Sequence, residues 1–292
     1  MHPSIKSEKA KGFLCAILSG IVYGCMPLGA SVLYSNGVTP IALVFLRNAL
    51  AIPFLAAICV FRKAPRLKGP SILKASAAGC MGCAATPLLL YLSYTGIDTG
   101  TATTLHYIYP AIVMLLCSVF FHDRMQPKEL LCLCLSMAGV AFLSMRGGSM
   151  QLPFGFLCAA CSGLTFAVYV TVIGKTELRN ADPFRLALIC SVSSSVLLIP
   201  FLFLGEKTGL PNTLRGWMIA TLFAIMICCA AMTLFKKATQ LIGPQMAGIL
   251  STFEPLTGIV MGVLFLGESF GVLQLAGSLL ILSSVILLSL KR

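Results

Sequence analysis

The sequence predicts an all-α, polytopic membrane protein of ten transmembrane helices, folded as two inverted five-helix repeats. Apolar residues make up 58% of the chain and charged residues 10%, with a mean hydropathy of +0.96. Soluble domains carry about 25% charged residues, so this chain lacks the polar surface to coat a globule. Runs such as 13–34, 41–61 and 271–290 hold at most one charge each. They reach the roughly 20 residues needed to cross ~30 Å of hydrocarbon. Finally, GFLCAILSG at Gly12 returns as GFLCAACSG at Gly155, with seven of nine residues unchanged. Strand-like alternation is absent, which argues against a β-barrel.

Taken in order, the apolar runs place helices near 12–35, 41–61, 71–94, 101–121, 127–145, 154–173, 184–204, 216–235, 244–266 and 270–290. The links between them are short, so no soluble domain is expected. Lysines ahead of the first run superficially resemble a signal peptide. That run is too long, and no small-residue cleavage site follows, so it reads as a retained first helix.

The net charge of +12 could suggest a nucleic-acid ligand, but its distribution points to topology. With the N-terminus in the cytoplasm, seventeen Lys and Arg fall on inside segments, among them Lys236 and Lys237. Three fall outside: Arg146, Lys207 and Arg215. This positive-inside bias puts both termini in the cytoplasm and supports an even helix count. The thirteen cysteines lie almost entirely within apolar runs. The pairs Cys80/Cys83, Cys132/Cys134 and Cys158/Cys161 have no second pair or histidine at metal-ligand spacing. They read as small packing residues, and no metal, cofactor or disulfide framework is expected. Gly174-Lys175-Thr176 ends like a phosphate-binding loop, but Tyr169 stands where its first glycine must be. No catalytic signature appears, so an enzyme is not expected.

The repeat extends far beyond nine residues. Thr39-Pro40 answers to Asp182-Pro183, and LHYIYPAIVMLLCSVFFHD (105–123) lies over LSTFEPLTGIVMGVLFLGE (250–268). The chain therefore divides into units at 1–149 and 150–292. Five helices is an odd number, so Gly12 and Gly155 open their helices from opposite faces and the units sit upside down relative to each other. Inverted repeats of this kind recur in secondary transporters, where two similar halves exchange conformations.

Ten helices in two five-helix units, with Tyr109-Pro110 and Glu254-Pro255 inside helices 4 and 9, resemble the EamA type of the drug/metabolite transporter superfamily. An aliphatic-Gly-Glu turn about ten residues later belongs to the same pattern. It stands here as Leu266-Gly267-Glu268, and in the first half as the departure Phe121-His122-Asp123. The resemblance spans residues 12–290. It implies a transporter of small metabolites such as amino acids, often outward, seated in an inner membrane and coupled to protons or to the substrate gradient. Drug or nucleotide-sugar transport is the alternative within the superfamily, and a membrane sensor or intramembrane enzyme lies outside it.

Ionisable groups inside helices are costly and mark candidate sites; Arg47, Asp98, His106 and Glu254 qualify. Glu254 lies roughly 15 Å into helix 9, beside a proline that frees a carbonyl one turn earlier. It could meet a cationic group of the substrate or carry a proton, or it could serve the kink alone. Arg47 could snorkel outward, reach Glu254 or capture a substrate carboxylate. His106, Tyr107 and Tyr109 form a polar aromatic cluster before Pro110, matched in depth by Ser251, Thr252 and Glu254. Tyr91, Tyr94, Thr95, Gln240 and Gln245 could add polar contacts, while Asp98 reads as solvated. The pairs Gly20/Gly24 and Gly258/Gly262 have GxxxG spacing. Internal packing is the favoured reading of these pairs and a homodimer the other.

Overall fold

The computed structural model describes residues 5–93, 102, 105–124, 126–144, 153–203, 209–266 and 271–289. These residues form helices and their connecting turns, with no strand among them. In chain order the helices make ten rods. The first is α1 (Ile5–Gly24, Met26–Ser35), followed by α2 (Pro40–Ala49, Ala51–Phe61). α3 runs Gly69–Gly79, a π-helical turn Cys80–Ala85, then Thr86–Ser93. Next come α4 (Tyr109–Phe121), α5 (Pro127–Ser144), α6 (Pro153–Lys175) and α7 (Pro183–Leu202). α8 joins Leu214–Ala224, a π turn Ile225–Ala231 and Met232–Ile242. α9 (Pro244–Leu250, Phe253–Leu266) and α10 (Val272–Ser289) complete the bundle. Among the described residues, six stretches are long and apolar enough to cross a membrane: Glu8–Ser35, Pro40–Phe61, Gly69–Ser93, Phe154–Lys175, Pro183–Leu202 and Leu214–Ile242.

The interruptions follow from covalent chemistry. A proline has no N–H and its ring clashes with the carbonyl four residues back. α1 breaks at Cys25, α2 at Leu50 and α9 at Ser251–Thr252, each just ahead of Pro27, Pro53 and Pro255. Proline also starts helices, where its missing N–H is harmless. Thr39 and Asp182, matched by the repeat, are both N-caps before such a proline. Thr39 accepts from the Ala42 amide at 3.4 Å, and Asp182 from those of Phe184 and Arg185 at 2.9 and 3.0 Å.

Large apolar side chains such as Phe61, Val272 and Leu214, each about four-fifths exposed, face outward as a lipid-facing surface would. Lipid tails are as apolar as leucine, so close backbone approach and interhelical hydrogen bonds must hold the rods together. Gly24 packs so tightly on α9 that an added Cβ would lie 2.6 Å from the Glu254 carbonyl oxygen. The first GxxxG pair therefore serves packing within the chain. In α5 and α10, Ser136 and Ser284 share a hydrogen bond of 2.8 Å, and Ser284 also donates to the Cys132 carbonyl at 2.7 Å. The π turns are caught in the same way: Asn48 donates to the Cys83 carbonyl at 3.0 Å, and Ser19 to that of Ala231 at 2.8 Å.

One boundary moves. α8 continues past the expected end at 235 to Ile242, where Gly243 turns the chain at φ 85° ahead of Pro244. Lys236, placed by sequence in a loop, instead lies within the helix and is wholly buried. The two lysines mimic a helix end, but only Lys237 points out.

Candidate functional site

The site grows from the two proline breaks. Pro255 cannot donate to the carbonyl of Ser251, four residues back. That carbonyl accepts from the Glu254 amide at 2.9 Å and from the Tyr107 hydroxyl at 3.2 Å, across from the facing helix. The Ser251 hydroxyl bonds that of Tyr109 and also donates to the Gly248 carbonyl at 2.7 Å. So the segment leading into α4 and the break in α9 are tied together through two tyrosines and one serine. Thr252 is buried but donates to Ile249, within its own helix, at 2.7 Å.

On the α4 side, the carbonyl that Pro110 cannot serve belongs to His106. It lies against Gly163 of α6, where an added Cβ would stand 2.8 Å from the oxygen. The neighbouring Ser162 hydroxyl bonds His106 Nδ1 at 2.9 Å. Ser162-Gly163 closes the second copy of the repeated nonapeptide, and Ser19-Gly20 closes the first. Gly20 abuts α9 at Phe253 and Glu254. The repeated words thus place a small residue against the interrupted helix in each half. Rings complete this wall: Tyr109 meets Phe166 edge-on at 4.7 Å, and His106 lies 5.6 Å from both Tyr109 and Phe166.

Glu254 is partly buried, and the groups acting on its carboxyl are Tyr107 and the Arg47 charge. Arg47 is buried in the bundle, with Nη1 3.7 Å from the Met26 sulfur and Tyr91 and Tyr23 nearby. Tyr91 is buried too and meets Tyr34 edge-on at 6.5 Å. Ion pairs among the described residues are Lys74–Glu177 and Lys175–Asp123, both at helix ends rather than here.

The structure therefore brings together His106, Tyr107, Tyr109, Ser251 and Glu254, with Arg47 and Tyr91 alongside. Gln240 is not part of this group. It donates to the Leu178 and Ala181 carbonyls at 3.4 and 2.7 Å, tying α8 to the α6–α7 turn. Tyr94, Thr95 and Asp98 lie outside the described residues. Sequence reasoning missed Ser162 and Phe166, though the repeated Ser-Gly was a signal for the first.

Relatives agree with this architecture. A crystal structure superposes with a TM-score of 0.78 at 17% identity, covering 96% of both chains; at that identity it speaks for the fold alone. A protein of Archaeoglobus fulgidus, named an uncharacterized transporter, is 28% identical over 211 residues, 71% of this chain and 74% of its own. The uncharacterized transporter YwfM of Bacillus subtilis is 27% identical over 214 residues, 73% of this chain and 71% of its own. YxxF of the same organism, another uncharacterized transporter, is 22% identical over 298 residues, 99% and 93% of the two chains. The model of the EamA-like transporter family matches twice, at residues 10–145 and 153–290. Two matches, one to each five-helix half, account for nearly the whole chain, which belongs to the EamA-like transporter family.

Proposed function

We propose that this transporter exports small metabolites, amino acids among them, by alternating access between the units 1–149 and 150–292. It sits in the cell's inner membrane with both termini in the cytoplasm, as the positive-inside bias favours. The observation that carries the reading is the hydrogen-bonded meeting of Tyr107 and Tyr109 with Ser251. Interrupted helices from the two halves face each other there, beside a carboxylate. Discontinuous helices of this kind hold substrate in transporters. The site residues are His106, Tyr107, Tyr109, Ser251, Glu254 and Arg47, with Tyr91 and Thr252 supporting them. Glu254 meets the cationic group of the substrate or carries the coupling proton.

The test is efflux from proteoliposomes loaded with a mixed metabolite pool, with and without a pH gradient, followed by mass spectrometry. Wild type should release a defined compound, and Glu254→Gln should remove the dependence on the gradient. Unchanged transport in the variant would confine Glu254 to shaping the helix break. Protein that is folded and inserted yet releases nothing would sink the transport reading.

A further inference from the structure

The interior holds a second cation that the site above does not use. Lys236 is wholly buried, and its Nζ meets no hydrogen-bond partner. It lies 5.9 Å over the Tyr169 ring. The thiols of Cys190 on α7, Cys83 on α3 and Cys228 on α8 stand around it, Cys190 the most closely engaged with its charge. Arg47 and Lys236 are the buried charged side chains among the described residues, with Glu254 partly buried. Two cations thus share one carboxylate, and that carboxylate feels Arg47. An unpaired charge inside a membrane bundle is expensive, and an anion brought in from outside the chain would offset it.

The internal repeat says what kind of position this is. The two π turns begin at Cys80 and Ile225, 145 positions apart, and at that offset Tyr91 answers to Lys236. Through the first two helices of each half the offset is 143, set by Pro40 and Pro183. There Met26 answers to Tyr169 and Arg47 to Cys190. Arg47 contacts Met26 and faces Tyr91. Lys236 covers Tyr169 and faces Cys190. The pair Arg47–Tyr91 thus answers to Cys190–Lys236, with the cation on the other member. The cation has moved from the second helix of one half to the third helix of the other. Arg47 lies about 10 Å from the end at which α2 starts, and Lys236 about 9 Å from the opposite end, where α8 finishes.

We infer that Lys236 is a carboxylate-binding station, the counterpart of Arg47 at the opposite depth. The two cations take up the carboxylate of one small substrate in turn as the halves exchange conformations. This rests on the transport reading and narrows its substrate class to carboxylate-bearing metabolites. The way in is built beside it. Gln240 sits one helical turn beyond Lys236 and holds the Ala181 carbonyl at 2.7 Å, while Arg179 Nε donates to the Gln240 carbonyl at 3.1 Å. Lys175–Asp123 bridges α6 to the end of α4 at the same face. Release of these bonds would part the α6–α7 turn from the end of α8.

The experiment uses proteoliposomes loaded with a mixture of amino acids and, separately, with the corresponding amino-acid amides. Release is read by mass spectrometry for wild type, Lys236→Met and Lys236→Arg, and Tm is measured for each in detergent. Wild type should release acids and not amides. Lys236→Met should lose transport roughly tenfold or more while its Tm rises, because an uncompensated charge is gone. Lys236→Arg should keep more transport than the methionine variant. Three results would overturn the inference: Lys236→Met transporting like wild type, a fall in its Tm, or amides leaving as readily as acids. If a substrate found in the broader metabolite pool lacks a carboxylate, the Lys236 inference fails and the transporter stands. If no compound leaves at all, both fall.

Discussion

In α9 the carbonyl that Pro255 cannot serve accepts from the Glu254 amide and from a hydroxyl of the facing helix. In α4 the carbonyl freed by Pro110 is pressed against a glycine of α6. The same backbone event is resolved once by a hydrogen bond and once by close packing. Around the α4 break stand aromatic rings; around the α9 break stand hydroxyls and a carboxylate. Symmetry therefore belongs to the backbone and asymmetry to the side chains.

Breaking the packing at these helices should have the largest effect. Gly24→Leu and Gly163→Leu each drive a side chain into backbone oxygen, and should cost about 3 kcal/mol. Size-exclusion of the purified variants would show loss of the monodisperse peak. Gly248→Ala is the control, since its Cβ would meet Pro110 and Tyr109 at ordinary distances of 3.5 to 3.7 Å; it should stay within about 0.5 kcal/mol. Wild-type behaviour from Gly163→Leu would mean that the α4 break does not need its glycine.

Next comes the hydrogen bond. Tyr107→Phe leaves the Ser251 carbonyl with the Glu254 amide but without its cross-helix donor, and should cost about 0.5–1.5 kcal/mol. In a Pro255→Ala background the restored amide can serve that carbonyl, so the same change should cost distinctly less. Equal costs in both backgrounds, by chemical denaturation, would detach Tyr107 from the proline break.

A comparable gain is expected at the close of α4. His122 caps it in the left-handed region, at φ 52°, where the family pattern has a small residue. His122→Gly should raise stability by about 1 kcal/mol. A drop in Tm would instead give the imidazole a role at that turn.

The smallest effect should come from the exposed pair Lys74–Glu177, 2.7 Å apart. The hydrogen bond from Lys74 holds the Glu177 carboxyl below the usual carboxylate range. A carboxyl lowered on folding contributes above its unfolded pKa of about 4.3 and loses that contribution as pH falls through its folded value. Lys74→Ala should lower Tm at neutral pH only slightly and leave Tm in acid unchanged, so that the decline in acid flattens. A large change at neutral pH would reveal a latch rather than a solvated pair.

Much of this was legible in the chain. Prolines 27, 53, 110 and 255 announce the breaks because the lesion is covalent and local. The duplicated Ser-Gly announced two equivalent close approaches. Lys236 was misplaced because a hydropathy run ends wherever two lysines fall, whatever lies beyond them. The His106–Ser162 bond spans 56 positions, and no local pattern states such a pairing. The π turns carry no proline and no distinctive spacing, so nothing in the sequence foretells them.

Those turns have a consequence of angle. A π turn spends one residue more than an α-helix would over the same stretch. Each residue advances the side chains by about 100° around the axis. Everything after Ala85 on α3 and after Ala231 on α8 is therefore rotated relative to an uninterrupted rod. Tyr91 and Lys236 both lie beyond these points. Removing a single residue from the π turn of α8 would turn Lys236 by more than a quarter of a circle, away from its enclosure. Whether the interior of the second half contains a cation is set by the phase of a helix.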